Sequence, residues 1–365
     1  MPSRSRTSSP RATHPRTSRR SSGPRTSRLS WSRLRRVALA ALVTASVAVP
    51  ISGAARPADV PAPAPTVHGQ LRAATPAALA ERYAGTRVDL VAAARTAEEH
   101  GDTQRAEALR TLAAPARQLL SFDGRNGGRA VEVMGDLARA DRIAVLVPGA
   151  GTSVDNYGRL RSDAGALRRT LGDRSAVVAW LGYRTPEAVS LSVATARRAA
   201  RAVPDLRALV DELTRVKPAA RTSLVCHSYG TVVCAGAASR VRIADIVLYG
   251  SPGTGYDSAA ALRTEATVWA GRSSGDWTVD IPHRRLRLPF VTFGFGTDPV
   301  SPEFGARTFR AGHGQHSEYL KPGSLPLRNI ARIVAGEATD TGGDADTGAG
   351  TGSGTAERFG GNRHA

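Results

Sequence analysis

The chain is poor in cysteine and lysine, and its start has no acid. Only Cys226 and Cys234 among its 365 residues are cysteine. That excludes a small disulfide-built scaffold and a cysteine-rich zinc domain. Lysine is confined to Lys217 and Lys321, so arginine carries nearly all the positive charge. Residues 1–36 hold eleven arginines and no Asp or Glu, so the formal net charge of +19 falls to +8 for the remainder. The basicity belongs mostly to a leader, not to a folded face, which argues against nucleic acid as a partner. No internal repeat is visible. No apolar run reaches the roughly twenty residues of a spanning helix. What is present is a chain that is 41% hydrophobic, able to bury the core of one large domain or two small ones.

Both ends read as something other than the core. Residues 1–36 are rich in Arg and Ser and cannot pack. A short apolar run follows from Val37 to Val49, then Pro50 and the small residues Ser52-Gly53-Ala54-Ala55. A positive segment, a short apolar segment and a small-residue site are the parts of a secretory signal, so 1–55 is expected to be a leader cleaved after Ala54 or Ala55. A single membrane anchor is the competing reading. Arg35-Arg36 directly before the run leave the general secretory and twin-arginine routes both open. No Cys stands at the cleavage site, which excludes a lipid anchor. Residues 56–75 are Pro/Ala-rich and read as an extended linker. Residues 337–365 are rich in Gly, Thr and Asp and read as a disordered tail.

Between the ends, the pattern predicts helices first and strands afterwards. Residues 76–116 are Ala-rich, and His100-Gly101-Asp102-Thr103 looks like a helix stop followed by an N-cap. This predicts two helices, about 76–100 and 103–114, packed as a hairpin. Over 117–336, short apolar runs alternate with helical stretches. The runs are Leu119–Phe122, Ala130–Val133, Ile143–Val147, Ala176–Leu181, Ser223–Cys226, Ile243–Leu248, Ala266–Ala270 and Phe290–Phe295. Several are apolar throughout, as in strands buried on both faces. Tyr157, Leu160, Ala164, Leu167 and Leu171 lie on one helical face. A longer helical stretch covers about Pro186–Val216. This alternation predicts an α/β fold with a mostly parallel sheet and helices on both faces.

Three turns carry chemistry. Leu224-Val225-Cys226-His227-Ser228-Tyr229-Gly230 runs from an apolar strand through a turn into a helical stretch. That is the setting of a nucleophile elbow, which lifts a Ser hydroxyl out of a sheet and aims a helix N-terminus at developing negative charge. The usual Gly-x-Ser-x-Gly pattern fails at one position, where Cys226 stands. An ordinary helix N-cap is the bland alternative for Ser228. The second turn, Pro148-Gly149-Ala150-Gly151-Thr152, follows a buried strand. It lacks the Lys-Ser/Thr of a P-loop and the spaced glycines of a dinucleotide site. In a hydrolase it would supply one backbone N–H for an oxyanion, from Ala150, with the Tyr229 N–H as the other. The third, Gly312-His313-Gly314-Gln315-His316-Ser317, offers the base. Of the later histidines His283, His313, His316 and His364, we take His316 ahead of His313. For the acid that orients it, Asp276 leads and Asp257 and Asp298 remain open.

Together these residues resemble the alpha/beta-hydrolase superfamily, and within it an actinobacterial family of unknown function. That family shows a Val-Pro-Gly-x-Gly-Thr turn followed by Val-Asp-Asn, a His-Ser-Tyr-Gly elbow, a Gly-Ser-Pro-Gly segment, a Gly-Asp turn and a late Gly-His-Ser. Here they stand as Val147–Thr152 with Val154-Asp155-Asn156, His227–Gly230, Gly250–Gly253, Gly275-Asp276 and His316-Ser317, with Gln315 in place of the last Gly. The resemblance covers about Leu119 to Gly336. It implies an alpha/beta-hydrolase fold and a Ser228–Asp276–His316 triad with serine-esterase chemistry, needing no metal or organic cofactor. The implied partner is a small or lipid-like acyl substrate, with the membrane involved only through the export signal. A non-catalytic binding protein on the same scaffold is the alternative. Cys226 and Cys234 either pair as a disulfide or fill a tight strand–helix contact. The short segment after Gly250 predicts no large lid, and His283-Arg284-Arg285-Leu286-Arg287 reads as a solvated basic edge.

Overall fold

A computed structural model describes residues 61–187, 195–288 and 291–337, without the side chains of 286–293. The chain divides into Met1–Pro57 and Ala58–Ala365, and everything below concerns the second unit. The expected leader and tail lie outside the described residues.

The helical hairpin forms where the sequence placed it. Helix α1 (Pro76–Glu99) starts at Thr75, whose side chain accepts from the Ala78 N–H, with Pro76 at the first position. Both are ordinary helix-start devices. Helix α2 (Thr103–Leu112) is capped by Asp102, which accepts from the Arg105 N–H. Leu90, Ala94 and Ala97 of α1 and Ala106 and Leu109 of α2 are buried in the same cluster. Residues 61–75, the described part of the segment before the hairpin, have no helix or strand, but the last of them are docked. The Leu71 N–H donates to Glu212, the Arg215 guanidinium donates to the Leu71 carbonyl, and Leu71 and Ala74 are buried.

Eight strands then make one sheet: β1 (Leu119–Asp123), β2 (Arg129–Gly135), β3 (Arg142–Val147), β4 (Ser175–Leu181), β5 (Arg221–His227), β6 (Asp245–Tyr249), β7 (Thr267–Gly271) and β10 (Arg307–Thr308), in the order β1-β2-β4-β3-β5-β6-β7-β10. The β1–β2 and β2–β4 pairs are antiparallel and the others parallel. Alternate residues of the parallel strands enter opposite cores. Val145, Leu224, Ile246 and Leu248 pack on one face with helix α4 (Arg197–Val216) and helix α5 (Gly230–Ala237). Leu146, Val225 and Val247 pack on the other with helix α3 (Gly158–Leu171) and helix α6 (Leu325–Ala335). Burial on both faces is why these strands read as continuous apolar runs.

Two expectations need correction, and one element lies beyond them. The run Phe290–Phe295 does not supply the last strand of the sheet. Its part Val291–Phe293 (β9) pairs antiparallel with Leu286–Leu288 (β8) in a separate hairpin. Gly294 and Gly296 end it at φ of 80° and 82°. The eighth position goes to the two-residue edge strand β10, parallel to β7. The helix expected from Pro186 begins at Arg197; residues 188–194 are outside the described set. Finally, the closing helix α6, with Ser324 as N-cap and Gly336 as C-cap, had not been anticipated. Between β6 and β7 there is only the short turn Ala260–Leu262, in keeping with the absence of a large lid. Among the described residues no helix is long and apolar enough to cross a membrane.

Candidate active site

The site lies at the carboxyl ends of the parallel strands, where ligands gather in open α/β sheets. Ser228 is the single residue between β5 and the N-cap of α5. Its φ of 52° is unusual for a residue with a side chain. Its N–H donates to the Tyr249 carbonyl at the end of β6, and its carbonyl accepts from the Thr231 N–H, each at 3.0 Å. These bonds hold the strained turn. Two glycines make room for it. A Cβ on Gly230 would lie 2.6 Å from the Pro148 carbonyl oxygen, and one on Gly149 would lie 2.7 Å from the Ser228 Cβ. Where the elbow pattern has its first glycine, Cys226 is buried and forms a disulfide with Cys234 of α5, so the two cysteines pair.

The turn Pro148–Thr152 is pinned from several sides. The Tyr183 hydroxyl donates to the Pro148 carbonyl at 2.7 Å, and the Gly151 N–H donates to the Pro186 carbonyl at 2.8 Å. The Asn156 side chain donates to the Gly151 carbonyl and accepts from the Ser153 N–H. Asp155 pairs with Arg105 of α2, so the hairpin helps to brace this turn. Ala150 borders the same cavity as Ser228. Neither the Ala150 N–H nor the Tyr229 N–H has an acceptor among the described residues. The Tyr229 side chain faces the other way, donating to the Thr195 carbonyl and accepting from the Ala199 N–H.

Of the candidate bases and acids, the structure brings one pair to Ser228. His316 Nε2 lies 2.9 Å from Ser228 Oγ, and its Nδ1 lies 2.9 and 3.0 Å from the two oxygens of Asp276. A carboxylate facing Nδ1 fixes a proton there and leaves Nε2 to accept from the serine. Asp276 is fully buried. Burial alone would raise its pKa, but hydrogen bonds from His316, from the Tyr319 hydroxyl at 2.6 Å and from the Thr278 N–H at 2.8 Å outweigh that and hold the carboxyl well below the usual carboxylate range. Gly250 leaves room for this cluster. A Cβ there would lie 2.9 Å from Asp276 Oδ2 and 3.2 Å from the His316 ring. The rivals are elsewhere. Asp257 pairs with Arg285, Asp298 pairs with Arg272 at 2.7 Å with His283 close by, and His313 meets Ser274 Oγ at 2.7 Å. His364 is outside the described residues.

Three contributors were missed by sequence reasoning. Tyr319 supports Asp276, and its signal was only that it stands three residues after His316. His227 sits under His316, with ring centroids 4.6 Å apart, and its Nε2 is 2.8 Å from the His316 carbonyl oxygen. Trp277 lies 4.8 Å from the His316 ring, with about half of its surface exposed.

The family profile for alpha/beta hydrolases matches residues 123–285. An uncharacterized protein of Mycobacterium tuberculosis is 30% identical over 251 residues, covering 60% of this chain and 38% of that protein. One of Mycobacterium bovis is 32% identical over 189 residues, covering 46% of this chain and 71% of that protein. The chain belongs to the alpha/beta hydrolase family. This alpha/beta hydrolase therefore spans well under half the length of the first of those relatives. Among solved structures, it is similar to an alpha/beta serine hydrolase of Xanthomonas campestris at 15% identity and a TM-score of 0.39, covering 60% of this chain and 94% of the other.

Proposed function

We propose that the protein is an exported serine hydrolase that cleaves carboxylic esters through an acyl-enzyme. The observation that carries this reading is the unbroken line from Asp276 through His316 to Ser228 Oγ, with two acceptor-free N–H groups beside it. His316 Nε2 takes the Ser228 proton as Oγ attacks the acyl carbonyl. The N–H groups of Ala150 and Tyr229 donate to the resulting oxyanion. His316 then returns its proton to the leaving alkoxide. A water, deprotonated in turn by His316, attacks the acyl-enzyme and frees Ser228. Asp276 stays ionised throughout and stabilises the imidazolium.

Export belongs to the same reading. The leader pattern over 1–55 and the disulfide of Cys226 with Cys234 both fit an oxidising compartment outside the cytoplasm. The substrate expected is a small or lipid-like acyl compound, with no nucleic acid involved.

The test is labelling of the purified protein with a fluorophosphonate, beside Ser228→Ala and His316→Ala. Labelling of the wild type that vanishes in Ser228→Ala and falls by about three orders of magnitude or more in rate in His316→Ala is expected. A folded wild type that neither labels nor cleaves p-nitrophenyl acetate would instead favour a binding protein on this scaffold.

A further inference from the structure

Ser228 and His316 form one side of a cavity of about 170 Å³, below the roughly 300 Å³ at which pockets for drug-sized ligands begin. Its enclosed part suits a compact group. Leu146, Leu160 and Leu320 give it apolar walls, but Asp163 and Tyr249 line it as well. Neither of these two belongs to the catalytic line described above.

Asp163 stands on α3, four residues after Arg159 and thus on the same side of the helix. Its carboxyl has no hydrogen bond and no ion pair among the described residues. Arg159 acts on it only at a distance, while its own guanidinium reaches toward the Ser317 carbonyl at 3.5 Å. Burial dominates over that pull and pushes the Asp163 carboxyl up to about 6. The Tyr249 ring is buried, and its hydroxyl also has no hydrogen-bond partner among the described residues. Leaving a partly desolvated polar group without a partner costs free energy. Here two such groups face one small cavity that opens on the nucleophile, and a ligand donor would satisfy them.

We propose that Asp163, assisted by the Tyr249 hydroxyl, is the specificity determinant of this hydrolase, accepting a hydrogen bond from a hydroxyl on a short substrate group next to the scissile ester. This rests on the serine-hydrolase reading. A hydroxyl suits the site better than an ammonium, because the Arg159 guanidinium is near enough to act on Asp163 and would repel a second cation. A site built to hydrogen-bond a substrate hydroxyl discriminates strongly against an apolar isostere, because its own polar groups are then left unpaired.

Two pairs of isosteric esters test this on the two sides of the scissile bond. On the acyl side p-nitrophenyl 3-hydroxybutanoate is compared with p-nitrophenyl 3-methylbutanoate. On the alcohol side 2-hydroxyethyl butanoate is compared with propyl butanoate. The ratio of kcat/KM within each pair is read for the wild type, Asp163→Asn and Asp163→Leu. The expected result is a preference for the hydroxylated member of about tenfold or more in one pair. It should be lost or inverted in Asp163→Leu and intermediate in Asp163→Asn. Wild-type ratios near one in both pairs, or a preference that survives Asp163→Leu, would overturn the proposal while leaving the hydrolase reading intact. If Asp163→Leu does not fold, as judged by circular dichroism, the equal-sized Asp163→Asn carries the comparison, and an unaltered ratio there overturns the proposal. Absence of any Ser228-dependent cleavage, with p-nitrophenyl acetate included, overturns the hydrolase reading and this one with it.

Discussion

His227 immediately precedes Ser228 in sequence, yet its contacts are with His316. As the last residue of β5 it points to the face opposite Cys226, and there it stacks on Tyr249 with centroids 4.9 Å apart and underlies His316. Burial, then the neighbouring His316, push its pKa down to about 3. It is therefore neutral at working pH, and its Nε2–H donates to the His316 carbonyl at 2.8 Å. A neutral ring that fixes the backbone of the base holds the imidazole at hydrogen-bond distance from Ser228 without adding a competing charge. This predicts that His227→Leu lowers kcat/KM for a p-nitrophenyl ester by about tenfold to a hundredfold, since small misplacements of a catalytic group are costly. His227→Gln, whose amide can donate from nearly the same point, should recover most of the loss. The pH profile of kcat/KM should shift in Leu and return in Gln. Equal losses in the two variants with unmoved profiles would assign His227 a packing role only. No local pattern in the sequence announces this function, because the partner lies 89 residues away.

At the scale of elements, legibility followed burial. Strands β3 to β7 were visible because both faces are covered and nearly every position is apolar. The edge strand β10 was invisible, since two residues, Arg307 and Thr308, exposed and half-buried, leave no period to read. The apolar run before it mimics that strand, although its closing glycines mark a turn. The elbow was legible because strand, turn and helix are contiguous. His316 is preferred to His313 on its motif alone: only two loop residues separate them, and tertiary contacts decide which ring reaches Ser228. The disulfide joins the two elements that flank the elbow, with a sequence separation of 8. Closing so short a loop is worth about 2.5 kcal/mol on the chain-entropy account. Reduction, or the double substitution Cys226→Ala with Cys234→Ala, should lower the unfolding free energy by roughly that amount, read from urea denaturation with and without a phosphine reductant. A stability indifferent to reductant, with the thiols shown to be free, would mean that the cross-link does not constrain the unfolded chain.

For the molecule as a whole, three groups around the site contribute to the acid response with opposed signs. His227 has its pKa depressed from 6.5 to about 3. Between those values the unfolded chain binds a proton that the folded one refuses, so this group makes stability fall as pH falls. Asp163 has its pKa raised from 3.8 to about 6. Over that interval the folded chain holds the extra proton, so this group makes stability rise as pH falls. Asp276 is held low and contributes no slope until the pH drops below 3.8. Each unmatched proton is worth up to about 1.4 kcal/mol per pH unit, less where water in the cavity screens the two side chains. Between pH 6 and 4 the terms from His227 and Asp163 therefore oppose one another. The difference between variants isolates each term. Asp163→Asn removes the compensating proton, so its stability should decline more steeply than that of the wild type as pH falls from 6 to 4. His227→Gln removes the refused proton, so its stability relative to the wild type should rise over the same interval. Urea midpoints at pH 4, 5, 6 and 7 read both slopes. Parallel curves for the three proteins would mean that neither group titrates differently in the folded and unfolded chains. Mirror-image departures would show that the cavity beside Ser228 holds a carboxyl and an imidazole whose charged forms the fold disfavours by burial.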